Sequence, residues 1–330
     1  MMERTLKERT AYGTDGTVLP ERKYHTAEDL ANAAGINKPV GSTELYYRQD
    51  KDVLLRYTTA PKYKGITYDG KLVGISSKRG YKHIQIPEAL EPVMPLIEPG
   101  LLKPLSAGIL GDGARIWMSC DIDTGLTENE MSVGPNDRVM PRLLSVFDQT
   151  GKGADFHLLT LIRIACENAL NAAIRNRDEY VPSVRISHRG KDPVGDAMGT
   201  GQVFCNAVDQ YKEFIVKARH LSNTEVTRKE ASDYIFALYP TDDTKKKDIN
   251  ANKRSLISTL AVRGRGINGN NRGTWWALLN AVTEFIDHHQ TYKQTKTNTR
   301  NDNRFKSIMF QGSAKKKVTA YEMALERAGV

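Results

Sequence analysis

Two chain reversals constrain this sequence more than any other feature. Asp69-Gly70 separates Ile66-Thr67-Tyr68 from Leu72-Val73-Gly74-Ile75, and Gly111-Asp112-Gly113 separates residues 105–110 from Ala114-Arg115-Ile116-Trp117-Met118-Ser119-Cys120. Asp-Gly accommodates the positive φ angles of tight hairpin turns, and the flanking runs are rich in β-branched and aromatic residues. Antiparallel strands are therefore expected in the first half of the chain, with further strands over 52–57 and 142–147 and a polar loop over 126–138. Ahead of them, residues 27–34 predict a short helix ended by Gly35. Pro87, Pro92, Pro95, Pro99 and Pro104 allow only a short or broken helix between them.

The texture then changes. Residues 156–175 carry Leu159, Ile162, Cys166, Leu170 and Ala173 at helical spacing behind a capping Asp155, and form the strongest helix prediction in the chain. After the glycine-rich turn 195–201, residues 203–221 predict a second amphipathic helix. Thr274 caps a third over 275–290, with Leu278, Leu279, Val282, Phe285 and Ile286 as its apolar stripe. The adjacent Trp275 and Trp276 point different ways, so one can face the core while the other faces a loop, and core packing is expected for at least one. Hairpins followed by helices indicate an α+β fold, an antiparallel sheet packed by a long helix with further C-terminal helices. The expected organisation is a flexible lead-in over 1–20, an α/β appendage over 21–104, a main domain over 105–312 and a basic tail over 313–330.

Charge is unevenly distributed. Residues 1–150 hold 19 Lys and Arg against 20 Asp and Glu, whereas residues 151–330 hold 29 against 19. A polyanionic partner explains that asymmetry better than a solubilising surface does. The excess gathers over 243–272, with eight basic residues against two acidic, and over 291–317, with eight against one. Arg185-Ile186-Ser187-His188-Arg189-Gly190-Lys191 adds a smaller patch, where alternation puts Arg185, Ser187 and Arg189 on one side of a short strand. Glycine-exposed amides beside arginines bind phosphates, and aromatic side chains such as Tyr292 and Phe305 can stack on unpaired bases. The candidate nucleic-acid contacts are Arg163, Arg185, His188, Arg189, Lys191, Arg263, Arg265, Arg272, Lys293 and Arg304. Arg163, set among apolar neighbours, is equally a candidate for a buried structural pair.

Other chemistries find less support. No Gly-x-x-x-x-Gly-Lys-Ser/Thr loop occurs, which argues against an ATP-driven motor. Asp121 and Asp123, two apart at a strand end, are weak candidates for a magnesium site, and a polar strand end is the simpler reading. His288 and His289 are adjacent on a helix and make a poor chelate. No nucleophile stands out, so neither a cofactor nor a catalytic constellation is expected. The first residues lack the apolar core of a secretory signal, and no apolar run approaches the ~20 residues of a membrane span. Cys120, Cys166 and Cys205 are odd in number and widely spaced, as expected of buried thiols in a reducing cytosol.

Several of these segments resemble one family. Residues 161–170, Leu-Ile-Arg-Ile-Ala-Cys-Glu-Asn-Ala-Leu, and Arg185-Ile186-Ser187-His188 are similar to successive elements of the phage/plasmid-like protein family, a domain of unknown function. Residues 273–288 resemble its Trp-to-Asp-His block through Asn280-Ala281-Val282-Thr283-Glu284, with Phe285 in place of the usual Tyr. Residues 304–312 resemble its closing element. The resemblance covers roughly 105–320 and implies a phage, prophage or plasmid setting without naming catalytic residues. The element order is also similar, more remotely, to the ATP-independent annealing proteins of the Redβ and Rad types.

The function expected from these readings is single-stranded DNA binding and strand annealing by a homo-oligomeric ring or filament, with RNA as another possible strand. A metal-dependent nuclease using Asp121 and Asp123, or a phage accessory protein that binds a host protein, are the alternatives.

Overall fold

The computed structural model describes residues 16–48, 57–135, 137–163, 168–169, 183–190, 192–195, 200–241, 248, 250–265, 267, 271–295, 299–300, 303–304, 307–308 and 312–330. Asp69 and Gly70 take φ angles of 51° and 76° and join β3 (Tyr57–Tyr68) to β4 (Lys71–Ser77) in the expected hairpin. With β2 (Val40–Arg48) they make a three-stranded antiparallel sheet in the order β2-β3-β4. The predicted strand over 52–57 lies outside the described residues except for Tyr57. Helix α1 (Ala27–Ala33) forms where expected, capped by the Thr26 hydroxyl and followed by Gly35 at φ 69°. The proline-rich stretch yields two short helices, α2 (Ile86–Leu90) and α3 (Met94–Ile97), joined by a 3-10 turn.

The larger antiparallel sheet is built around the second reversal, which joins β5 (Leu102–Leu110) to β6 (Arg115–Ile122). Its main path runs β1-β5-β6-β8-β9-β10, with β1 at Thr17–Val18, β8 at Asp137–Asp148, β9 at Asp155–Arg163 and β10 at Asn168–Ala169. A short β7 (Ser132–Gly134), inside the expected loop, pairs with β8, and β11 (Ser183–Ile186) pairs with the start of β9. Strand β1 falls inside the expected lead-in.

Strand β9 corrects the strongest helix prediction. Residues 155 and 157–161 are buried, because β9 is bonded to β8 along one edge and to β10 and β11 along the other while both its faces are covered. Such a strand is apolar on both sides and mimics a helical stripe, so period alone does not separate the two.

The two sheets meet at the β8–β9 turn. Ile75 of β4 donates its amide to the Thr150 carbonyl, and a Cβ at Gly74 would lie 2.2 Å from the Gln149 carbonyl oxygen. Only glycine permits this approach.

The second half is helical. Helix α4 (Thr200–Asn223) packs on β7, β8 and β11, and α5 (Arg228–Leu238), α6 (Ala251–Arg263), α7 (Trp275–Glu284) and α8 (Gly312–Ala328) follow. Helix α7 touches α4, α6 and α8, and all ten of its residues are buried. Both Trp275 and Trp276 are therefore core residues, where core packing of at least one was expected. Residues 285–289 continue the helix as a π turn. The two basic stretches are partly helix: α6 occupies 251–263 within the first, and α8 occupies most of the expected tail over 313–330. An α+β class results, with antiparallel sheets and a helical layer around α7. Among the described residues no helix is long and apolar enough to cross a membrane.

Candidate functional site

The start of β9 carries a buried polar cluster. His188, 3% exposed, sets Nε2 at 3.1 Å from Asp155 Oδ1 and Nδ1 at 3.1 Å from the Lys82 carbonyl, while its ring stacks on Tyr81 at 4.8 Å. A carbonyl only accepts, so Nδ1 carries a proton, and a second proton is shared between Nε2 and Asp155. Burial works against the imidazolium, but the hydrogen bond and charge of Asp155 outweigh it and raise the His188 pKa. Asp155 also accepts the Asp148 amide, and Asp148 binds Arg115 at 2.9 Å. Nearby, His157 is held neutral by burial, its pKa pushed down to about 4; Nε2 donates to the Ala89 carbonyl and Nδ1 accepts from Ser145. His188 therefore does not share the surface of Arg185 and Arg189, which are exposed. It fastens their segment to the sheet.

The family-like block on α7 is likewise interior. Trp276 Nε1 donates to Asp137 Oδ2 at 2.8 Å, tying α7 to the first residue of β8. Asn280 donates to the Trp276 carbonyl, Thr283 donates to the Asn280 carbonyl, and Glu284 accepts the Arg265 amide at 2.8 Å. Asp287 pairs with Lys317 of α8, and Arg304 donates to the Asp287 carbonyl through Nε at 3.0 Å. Arg304 and Lys317 are thus structural partners of the π turn. Sequence reasoning missed the Lys317 pair because Lys315-Lys316-Lys317 reads as a solvated run.

Two exposed basic residues meet elsewhere. A cavity of about 280 Å³ opens between α5, α6 and α7, walled by Ile235, Ala261, Val262 and Leu278 and bordered by Arg228 and Arg272. Arg263 ends α6 and Arg265 lies two residues beyond it, with its amide on Glu284; both are exposed. Among the described residues none of these four arginines makes an ion pair. Three of the four were singled out from sequence. Arg228 was not, although the capping box of Thr227 and Glu230 signals the helix it begins. Lys293 is exposed beyond the π turn. Arg163 ends β9 opposite Val139 and Asn168, its side chain lying outside the described residues, as does Lys191.

Asp121 and Asp123 are otherwise engaged. Asp121 accepts from Arg142 at 2.7 Å, and Asp123 lies 3.6 Å from Lys103 and accepts the Gly125 amide. Among the described residues no group of three or more His, Cys, Asp or Glu is placed to hold a metal ion. Cys120 is fully buried in β6, and burial pushes its thiol pKa up, which keeps it unreactive.

The profile of DUF932, a domain of unknown function, matches residues 74–309. The chain belongs to the DUF932 family. The match begins within β4 and takes in the larger sheet from β5 onward, α4 to α7 and the π turn, so the DUF932 domain contains both the His188 cluster and the arginine-bordered cavity. No curated protein and no solved structure matches the chain.

Proposed function

We propose that this DUF932 protein binds single-stranded DNA and anneals complementary strands without nucleotide hydrolysis, in the setting of phage or plasmid recombination inside the cell. The observation that carries the reading is the apolar cavity bordered by Arg228 and Arg272. Such a slot accepts a flat apolar base while guanidinium groups hold the flanking phosphates. Holding phosphates while leaving other bases free lowers strand repulsion, and duplex formation then proceeds downhill. One subunit covers only a few nucleotides, so the working form is a ring or filament of several copies.

Fluorescence anisotropy with a labelled ~40-nucleotide oligomer, long enough to span several subunits at typical site sizes, tests the binding step. Affinity is expected to fall steeply as salt rises, with a slope of about 0.7 per phosphate contact on a single strand. Binding that is absent at low salt, or indifferent to salt, overturns the reading. Strand annealing followed by quenching of paired labels tests the second step, and mass photometry with and without the oligomer tests assembly.

A further inference from the structure

We propose that a second cavity, between the C-terminal end of α5, the start of α6 and the N-terminus of α8, binds a phosphate group. The cavity measures about 560 Å³ and is lined by Lys253, Lys316, Tyr239, Gln290 and Ser313 among others, with no Asp or Glu. The two ammonium groups lie 5.8 and 4.6 Å from the centroid of the same Tyr239 ring. Each donates to a neutral acceptor, Lys253 to Asn250 Oδ1 at 2.9 Å and Lys316 to the Leu238 carbonyl at 2.6 Å. Neither charge is offset by those bonds, and an ammonium has three donors, so each keeps two for a ligand.

Two further features converge there. Gly312 and Ser313 begin α8, a helix of 17 residues, whose first-turn amides lack intrahelical partners and favour an anion. Tyr239 is 5% exposed, and its hydroxyl finds no hydrogen-bond partner among the described residues. His289 also lines the cavity, with Nε2 3.5 Å from Glu284 Oε1. Burial first, and the neighbouring Lys253 second, lower the Lys316 pKa. Two like charges drawn to one cavity repel, and a doubly charged oxyanion relieves that repulsion while accepting from both ammonium groups. The cavity exceeds the size of inorganic phosphate, which leaves room for the rest of a phosphorylated molecule; a free nucleotide and a nucleic-acid strand are the two sources the test separates.

This inference does not rest on the single-strand reading, and its first test uses no DNA. Thermal melting and calorimetric titration of the full chain with inorganic phosphate, pyrophosphate and dTMP, against chloride at equal ionic strength, read the site directly. A saturable rise in melting temperature is expected with the phosphates and not with chloride. Lys316→Gln and Lys253→Gln are each expected to weaken binding about tenfold or more, the usual scale for a charge-assisted hydrogen bond. Lys253 is half-buried at the start of α6, so Lys253→Gln keeps the test sharp if Lys316→Gln misfolds. No saturable shift, or a shift that survives Lys253→Gln undiminished, overturns the proposal. Once the site is established, tighter binding of a 5′-phosphorylated oligomer than of its unphosphorylated twin assigns it to strand ends. Equal binding that competes with dTMP assigns it to backbone phosphates, and dTMP binding without oligomer competition assigns it to free nucleotide.

Discussion

Lys317 and Asp287 form an ion pair in which both side chains are fully buried, joining α8 to the π turn that extends α7. The same turn is held by Arg304 on the Asp287 carbonyl and by the Tyr292 hydroxyl on the Ile286 carbonyl. The most family-like block of the chain therefore carries a polar seam through the helical core.

Removing one partner of that pair strands a charge in the interior. Lys317→Met is expected to cost about 3–5 kcal/mol, read as a lowered urea midpoint at unchanged slope. The double variant Lys317→Met with Asp287→Leu is expected to recover much of the loss, because no unpaired charge remains. Equal stability of the single variant and the parent would contradict the pairing.

The His188–Asp155 pair makes stability depend on pH in a defined direction. The folded pKa of His188 is raised, mainly through Asp155 overcoming burial, and that of Asp155 is raised by its own burial. Both shifts mean that the folded state holds protons more tightly than the unfolded one. The His188 contribution is therefore complete below its unfolded pKa of about 6.5 and is lost as pH climbs through the folded value. Asp155→Asn should remove that contribution, so the parent's advantage over the variant should shrink as pH rises above about 6.5. A gap that widens with pH would show the sign to be wrong.

Docking of the β2-β3-β4 sheet is expected to be intolerant of a methyl group. Gly151 has φ 76°, and a Cβ there would lie 2.3 Å from the Ile75 carbonyl oxygen. Gly151→Ala should destabilise by about 1–3 kcal/mol, and hydrogen exchange should quicken at the Ile75 amide, which bonds to Thr150.

Arg272→Ala and Arg228→Ala should each weaken single-strand binding and reduce the salt slope by about 0.7. Circular dichroism is expected to be unchanged, because both side chains are exposed and outside the ion pairs of the described residues. Arg304→Ala is the contrast: it removes donors from the Asp287 carbonyl, so a loss of stability of about 1–3 kcal/mol is expected. If Arg304→Ala changed only the salt slope, the division between surface and interior arginines would be wrong.

The sequence by itself determined what local geometry controls. Asp69-Gly70 required a hairpin, Thr26 and Gly35 bounded α1, Thr274 began α7, and the alternation around Gly111-Asp112-Gly113 paired β5 with β6. It also located Arg263, Arg265 and Arg272, because unpaired charge concentrated in a glycine-rich stretch is visible without a fold. Tertiary structure decided the rest. Residues 155–163 became a strand only because neighbours on both edges and both faces gave an apolar run somewhere to be buried. Helix α6, with Ile257 and Leu260 as its buried residues, was too polar for its period to stand out. Whether a cation belongs to solvent or to the interior was decided in the same way. His188 and Lys317 lie in basic runs, and each found a buried carboxylate far away in sequence: Asp155, 33 residues before His188, and Asp287 on the π turn. Turns and caps depend on a few neighbouring dihedral angles, whereas the burial of a charge depends on which distant group the fold brings to meet it.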